Sequence, residues 1–398
     1  MGVYDIGIAG CGPAGLAAAL LLARDGHRVR LYERFDSPRP VGSGLMLQPT
    51  GLAVLAQLGL AGVATAAGKR IERLFGKAEP AGATVLDVRY EWLGKPGLCG
   101  VGIHRSALFG LLHDAVAAAA VPIETGRAVR AVADGRLLFD DGARSRRHGL
   151  LVDCLGANSP LAVQSGRNLA YGALWASLDW CDGFDDRALE QRYVAANRMT
   201  GVLPIGQAPG RERPQAAFFW LLRADRLPAW HRSGLDPWKT EVRALWPATA
   251  PLLDQLIVPE QLTFARYAHR TLRRPAGDRL IHIGDSWHST SPQLGQGANM
   301  ALLDAWALAR ALREEETLER GLERAVSLRR FHVRLYQAMS AVFTPAYQSD
   351  GRVLPFIRDR IVPPFGRLWP ATRIQAAMVS GTFGGPLKPL GLDLPRGA

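Results

Sequence analysis

Cysteine is scarce in this chain of 398 residues: four, at Cys11, Cys99, Cys154 and Cys181, with no CxxC pair among them. That spacing excludes a zinc ribbon or a dithiol redox centre, and the set reads as reduced thiols, not a disulfide framework. Lysine is also sparse. It occurs only at Lys69, Lys77, Lys95, Lys239 and Lys388, so the formal charge of +12 is carried by arginine. The arginines are scattered, and no basic-aromatic alternation suggests a nucleic-acid groove. A nucleic-acid partner is therefore not expected. One long apolar run, residues 6–23, has nearly the length of a membrane span, but Gly10, Gly12, Pro13 and Gly15 interrupt it and no basic segment precedes it. It reads as a buried strand turning into a buried helix. No integral membrane segment is expected, and a cytoplasmic location goes with that.

What is present suits a large globular chain. Apolar residues make up 48% and charged residues 21%. A single core stops growing near roughly 250–300 residues, so two domains are the natural expectation. Residues 5–9 form a short apolar strand, residues 14–24 a helix rich in Ala and Leu, and residues 28–32 the next strand. This strand-helix-strand unit implies a parallel sheet with a right-handed crossover. A helix follows over 51–58, then irregular strands over 70–103. An amphipathic helix over 105–119 places Leu108, Leu111 and Leu112 on one side. Residues 121–132, 136–139 and 149–154 read as strands. Residues 166–275 alternate in a way that suggests an antiparallel sheet, and seven of the ten tryptophans fall between Trp175 and Trp287. A strand at 279–283 and a helix over 298–312 return to the first character, and further helices run to about residue 345.

The expected fold is therefore α/β (α+β). A Rossmann-like domain of the glutathione reductase type takes residues 1–75, 101–165 and 276–312. It is interrupted by a mostly antiparallel sheet domain for substrate, residues 76–100 and 166–275. C-terminal helices occupy 313–398.

The chemistry starts at Gly10-Cys11-Gly12-Pro13-Ala14-Gly15, a GxGxxG between strand and helix, with Glu33 at the end of the second strand. In that context the hexamer is a dinucleotide motif. Gly10 permits the tight turn, Gly12 lets the backbone approach a pyrophosphate, and Gly15 lets helix and strand pack closely. The helix N-terminus, opened by Pro13 and Ala14, meets the phosphate charge. Glu33 would accept from ribose hydroxyls. The motif alone does not distinguish FAD from NAD.

The distinction comes from Gly284-Asp285-Ser286-Trp287-His288, followed by Pro292, Gly295-Gln296-Gly297-Ala298-Asn299 and Asp304. This stretch closely resembles the GDAxH…P…GQGxN…D segment of the group A flavin monooxygenases, the para-hydroxybenzoate hydroxylase family. The resemblance implies FAD, with Asp285 on its ribityl or ribose part and Pro292 beside the flavin ring near the reacting oxygen. It places the Gly295–Asn299 turn, with its amides and helix N-terminus, at the pyrimidine end of the ring. It also implies that Arg105 points at the pyrophosphate, that Arg34 lies near the adenosine, and that Gly42-Ser43-Gly44-Leu45 lies against the ring. Val129 would contact the adenine through its backbone. The implied activity is hydroxylation or epoxidation of an aromatic or other electron-rich small molecule, in secondary metabolism or aromatic degradation. One atom of molecular oxygen is transferred through a flavin C4a-hydroperoxide. The alternative is an FAD-dependent dehydrogenase or oxidase of the same fold. No metal is expected, and the chain is expected to be a monomer or homodimer.

One departure stands out. The family signature DGxxSxxR aligns here with Leu155 in place of its aspartate and Ala162 in place of its arginine. Asp153, two residues earlier on an extended strand, would lie about 6–7 Å from the expected position. NADH or NADPH is the electron donor the resemblance implies. The altered stretch leaves open direct use of that donor or supply by a separate flavin reductase. No base is evident: His231, His269, Tyr193 and Tyr267 lie in or near the substrate region, and Phe218 and Phe219 are candidates for an aromatic pocket or for sheet core. Trp287 and His288 read as structural.

Overall fold

The strand-helix-strand unit forms where the local pattern demands it. The computed structural model, which describes residues 2–36, 43–163 and 165–395, has strands Asp5–Ala9 and Arg28–Tyr32 in parallel register around the helix Pro13–Arg24. They belong to a six-stranded sheet that runs Ala276–Gly277, Leu280–His282, Leu150–Asp153, Asp5–Ala9, Arg28–Tyr32, Ile123–Glu124. All neighbours are parallel except the first pair. The two central strands, Asp5–Ala9 and Leu150–Asp153, are buried on both faces and are nearly continuous apolar runs. The helices Arg105–Ala118 and Gly297–Glu314 pack against Pro13–Arg24. The stretch 121–132 is not one strand. Gly126 turns at φ +66 and separates Ile123–Glu124 from Val129–Ala133, which pairs with Arg136–Phe139 instead.

A second sheet of seven strands runs Thr263–Thr271, Ser165–Asp179, Gln215–Arg223, Arg198–Pro204, Ala188–Val194, Arg73–Ala78, Ala83–Arg89. It is antiparallel except where Arg73–Ala78 lies parallel to Ala188–Val194. That parallel strand spans residues 75 and 76, where the sequence suggested a boundary. Three helices, Leu227–Ser233, Leu235–Leu245 and Ala250–Asp254, interrupt what read as continuous sheet. They bury Trp230, Trp238 and Trp246 against Phe218 and Trp220 of the sheet. Phe218, 0% exposed, is therefore core and not pocket wall.

A small three-stranded sheet, Gly44–Leu47, Gly100–His104 and Lys69–Ile71, joins the two large ones. The approach is close: a Cβ on Gly44 would come 2.5 Å from the Ile205 side chain. Beyond the long helix Leu318–Tyr347, capped by the Thr317 hydroxyl, the segment that the sequence left unassigned is a series of short helical turns ending in Ala371–Val379. No helix among the described residues is long and apolar enough to cross a membrane.

Candidate flavin site

The glycine turn separates into positions the chain itself needs and one it does not. Gly10 has φ +102, and a Cβ there would come 2.7 Å from the Cys154 carbonyl. A Cβ on Gly15 would come 2.0 Å from the Gly10 carbonyl oxygen. Both are glycine because strand and helix touch. A Cβ on Gly12 would meet no protein atom within 4 Å, and no side chain caps the helix that starts there. The chain leaves open the space before a helix N-terminus, where backbone N–H groups and the positive end of the dipole attract phosphate. Pro13 and Ala14 open that helix.

Glu33 fixes the turn. One carboxylate oxygen accepts from the Cys11 amide at 2.9 Å and the other from the Phe35 amide at 3.2 Å. A carboxylate has about four acceptor positions, so room for ribose hydroxyls remains. Burial, with Glu33 nearby, pushes the Cys11 thiol up to about 12 and keeps it neutral. Arg34 is exposed, with its guanidinium 4.6 Å from the centre of the Phe35 ring. Val129 is buried at the start of its strand. Gly42 lies outside the described residues.

Arg105, Tyr267 and Asp285 converge from three distant segments. Each keeps solvent-accessible surface, yet each has the titration behaviour of a group deep in protein. Burial lowers the Arg105 guanidinium from its ordinary value, opposed by Tyr267 and Asp285. It raises the Asp285 carboxyl, opposed by His288 and Arg105. It pushes the Tyr267 phenol up to about 12. Accessible surface surrounded by protein is the property of an internal cleft. Arg105 is held there because its amide donates to the Ser43 carbonyl at 2.9 Å and His104 caps its helix. The His104 ring and the Ser43 hydroxyl both bond the Ser177 hydroxyl, at 3.0 and 2.7 Å, which ties the cleft wall to the second sheet.

The turn at residues 292–299 forms the other wall. Pro292 is exposed at the start of a short turn, Gly295 takes φ +61, and Gly297 opens the helix with its Cα side toward Asp285. Ala298 is half-buried beside it. Asn299 and Gln296 are spent on positioning. The Asn299 amide nitrogen donates to the Met46 and Gly295 carbonyls, and its oxygen accepts from the Gln48 amide at 2.8 Å. The Gln296 nitrogen donates to the Val379 carbonyl at 2.6 Å. Two buried oxygens beside this turn, Ser291 Oγ and Gln296 Oε1, have no hydrogen-bond partner among the described residues. The unfilled space at Gly12, before an uncapped helix N-terminus, fits a phosphate-bearing group.

Two clusters that the sequence reading did not assemble support these walls. Asp304 accepts from the Gly284 amide (2.9 Å), His288 Nε2 (2.6 Å) and Arg329 Nε (2.7 Å), with all three side chains buried. Its partners hold it at about 2 despite burial. The signal was available, since Asp304 sits in the quoted motif, but Arg329 is 25 residues away on another helix. Asp153 is the second. Fully buried, it accepts from the Leu155 amide, the Ser159 hydroxyl and His282 Nδ1. It clamps the altered turn from within. Arg270, from the second sheet, donates to the Ala157 carbonyl at 2.8 Å and so brings a guanidinium to the stretch where Ala162 lacks one.

Of the four candidate bases, Tyr193 is buried against Gln191, His231 is exposed beside Trp230, and His269 faces Ser340 and Thr344. Of the four, only Tyr267 interacts with Arg105 among the described residues, and Arg105 in turn interacts with Asp285. Its oxygen accepts from Trp175 Nε1 at 2.8 Å, and Trp175 packs on Phe219 with ring centres 4.8 Å apart.

Residues 3–334 match the family described as FAD binding domain. The chain is 29% identical over 372 residues to 6-methylpretetramide 4-monooxygenase of Streptomyces rimosus, covering 89% of this chain and 87% of that one. It is 27% identical over 343 residues to 3-amino-4-hydroxybenzoate 2-monooxygenase of Streptomyces cremeus, covering 77% and 78%. Among solved structures, the tetrameric form of 2-methyl-3-hydroxypyridine-5-carboxylic acid oxygenase superposes with TM-score 0.78 at 20% identity over 98% of each chain. Pseudomonas aeruginosa PqsL in complex with 2-aminobenzoylacetate gives 0.75 at 20%, covering 87% and 97%. The open glycine turn, the cleft and these likenesses agree: the chain binds FAD and belongs to the group A flavin monooxygenases of the para-hydroxybenzoate hydroxylase type.

Proposed function

We propose that this chain adds one oxygen atom to an electron-rich aromatic ring held between Tyr267 and the turn at Pro292. The observation that carries the reading is the Trp175–Tyr267 hydrogen bond, which brings an aromatic wall into the same cleft as Arg105 and Asp285. The curated relatives named above act, by name, on a pretetramide and an aminohydroxybenzoate, which supports an aromatic substrate class.

Bound FAD supplies the activation of molecular oxygen; the chain supplies position. Gly12 and the N-terminus of the helix Pro13–Arg24 would receive the pyrophosphate, with Arg105 opposite and Glu33 at the adenosine ribose. Arg34 and Val129 would flank the adenosine. Asp285 would hold the ribityl hydroxyls, and Gly44 and the Pro292–Asn299 turn the ring. Tyr267 is a neutral phenol at ordinary pH. Because its oxygen already accepts from Trp175, its own proton is free to be donated to a substrate oxygen. It therefore orients and does not act as a base. One oxygen atom enters the product, the other leaves as water, and two electrons come from NADH or NADPH.

The Asp153 clamp and Arg270 favour direct reduction over a separate reductase, because the altered turn is held rigidly and regains a guanidinium. A cytoplasmic location goes with this reading. The test is turnover of an aromatic acid or phenol panel under 18O2. Incorporation of a single labelled atom supports the proposal, and product without label assigns the chain to the dehydrogenase or oxidase class. Stopped-flow flavin reduction by each nucleotide alone decides between direct supply and a reductase.

A further inference from the structure

A second cavity lies behind the flavin cleft. The loop after the strand Thr263–Thr271 and the long helix Leu318–Tyr347 border a solvent-open concave space of about 920 Å3, near the upper end of small-ligand cavities, ~300–1,000 Å3. Arg273 and Arg274 reach it from the loop, and Arg330 and Arg334, one helical turn apart, reach it from the helix. Among the described residues, no aspartate or glutamate lines it. None of the four arginines makes an ion pair among the described residues. Their neighbour Arg329 shows the contrast: it points inward and takes the carboxylate of Asp304. The rest of the wall mixes the polar side chains Ser165, Thr271 and Gln337 with apolar ones such as Val333 and the edge of Trp287, 5% exposed. Trp287 belongs to the same short helix as Asp285, so one turn of chain separates this cavity from the cleft.

Four guanidinium groups around one concave space, with no anion of the protein's own, repel each other unless an anion joins them. Guanidinium forks match phosphate oxygens two at a time, which a carboxylate-free wall leaves available. The exposed guanidinium faces suit a flat ring by stacking. We propose that this cavity binds a nucleotide bearing a pyrophosphate, with the phosphates held among Arg273, Arg274, Arg330 and Arg334 and the ring stacked on a guanidinium face. A nicotinamide dinucleotide and a free nucleoside diphosphate share this chemistry. The inference does not depend on the monooxygenase reading, since it concerns binding alone.

The test is calorimetric titration of the FAD-saturated protein with ADP, NADPH, inorganic pyrophosphate and adenosine, at low and high salt. ADP and pyrophosphate are expected to bind, more weakly as salt rises, and adenosine is not. The double variants Arg330→Gln/Arg334→Gln and Arg273→Gln/Arg274→Gln should each weaken ADP by about tenfold or more, some 1.4 kcal/mol or more, with flavin content unchanged. If NADPH competes with ADP and is weakened by the same substitutions, the dinucleotide is the ligand. If ADP is lost while NADPH binding is unaffected, the site belongs to a free nucleoside diphosphate. Adenosine binding as tightly as ADP, no heat with any phosphate compound, or ADP affinity unchanged in both double variants overturns the proposal. None of these outcomes bears on whether labelled oxygen enters a product.

Discussion

At the scale of single residues, the three glycines of one motif answer to different forces, and substitution should separate them. Gly12→Val meets no protein atom nearby, and its extended backbone suits a β-branched residue. The flavin-free protein should melt where the parent does, while FAD affinity, read by fluorescence titration, falls about tenfold or more. FAD bound as tightly as by the parent would mean that the open space is not the cofactor's. Gly15→Ala puts a methyl 2.0 Å from a carbonyl oxygen. Overpacking of that kind costs about 1–3 kcal/mol, so both melting temperature and flavin content should drop. Tyr267→Phe removes the partner of Trp175 Nε1 and the donated proton, and keeps the ring. A hydrogen bond contributes about 0.5–1.5 kcal/mol, so kcat/KM for a phenolic or keto-bearing substrate should fall about 2- to 10-fold with FAD retained. Equal loss on a substrate lacking that oxygen would reject the orienting role.

At the scale of elements, Asp304 joins the helix Gly297–Glu314, the turn at Gly284–His288 and the helix Leu318–Tyr347. Asp304→Asn preserves shape and an acceptor for the Gly284 amide, and leaves Arg329 as an uncompensated buried charge. Breaking a buried pair from one side costs about 3–5 kcal/mol. The urea midpoint should move down by that equivalent, and FAD should be held more weakly because Asp285 lies on the turn that is released. A shift under about 1 kcal/mol would show that the network does not hold the turn. The inserted helices at 227–254 illustrate what local pattern misses. Leu227–Ser233 and Ala250–Asp254 are only seven and five residues long, too short for periodicity to register. Their tryptophans became legible as core only once the sheet face beneath them existed.

At the scale of the whole molecule, proton uptake should set the acid limit of stability. Burial, together with Arg329, lowers the His332 ring to about 2, and burial lowers His27, His104, His148 and His269 as well. An unfolded histidine titrates near ~6.5. Below that pH the unfolded chain takes up protons that the folded chain refuses, so stability falls as pH drops through the range about 6.5 downward. Asp304, depressed to about 2, adds a further loss as pH falls from about 4 toward 2. A series of melts from pH 8 to pH 4 should therefore show a steady decline that begins near neutrality, shallower in His332→Gln. A flat profile down to pH 5 would contradict these assignments.

Much of this was local information. The strands at 5–9 and 28–32, the glycines between them and Glu33 lie within 30 residues of each other, and the backbone chemistry of that turn admits few alternatives, so the sequence alone determined the dinucleotide unit. The spacing from Asp285 to Asn299 likewise marked a second candidate segment, and the mixed α/β class followed from the order of the segments. The tertiary structure decided what depends on distant partners. It brought Arg105, Tyr267 and Asp285 into one cleft, gave Asn299 and Gln296 to positioning, and sent Phe218 into the core. It also paired Arg73–Ala78 in parallel with Ala188–Val194, and gathered four arginines around one cavity. The reason is physical. Propensity and turn chemistry act over a few residues, whereas desolvation, like-charge proximity and strand pairing are properties of neighbours distant in the sequence, which only the folded chain brings together.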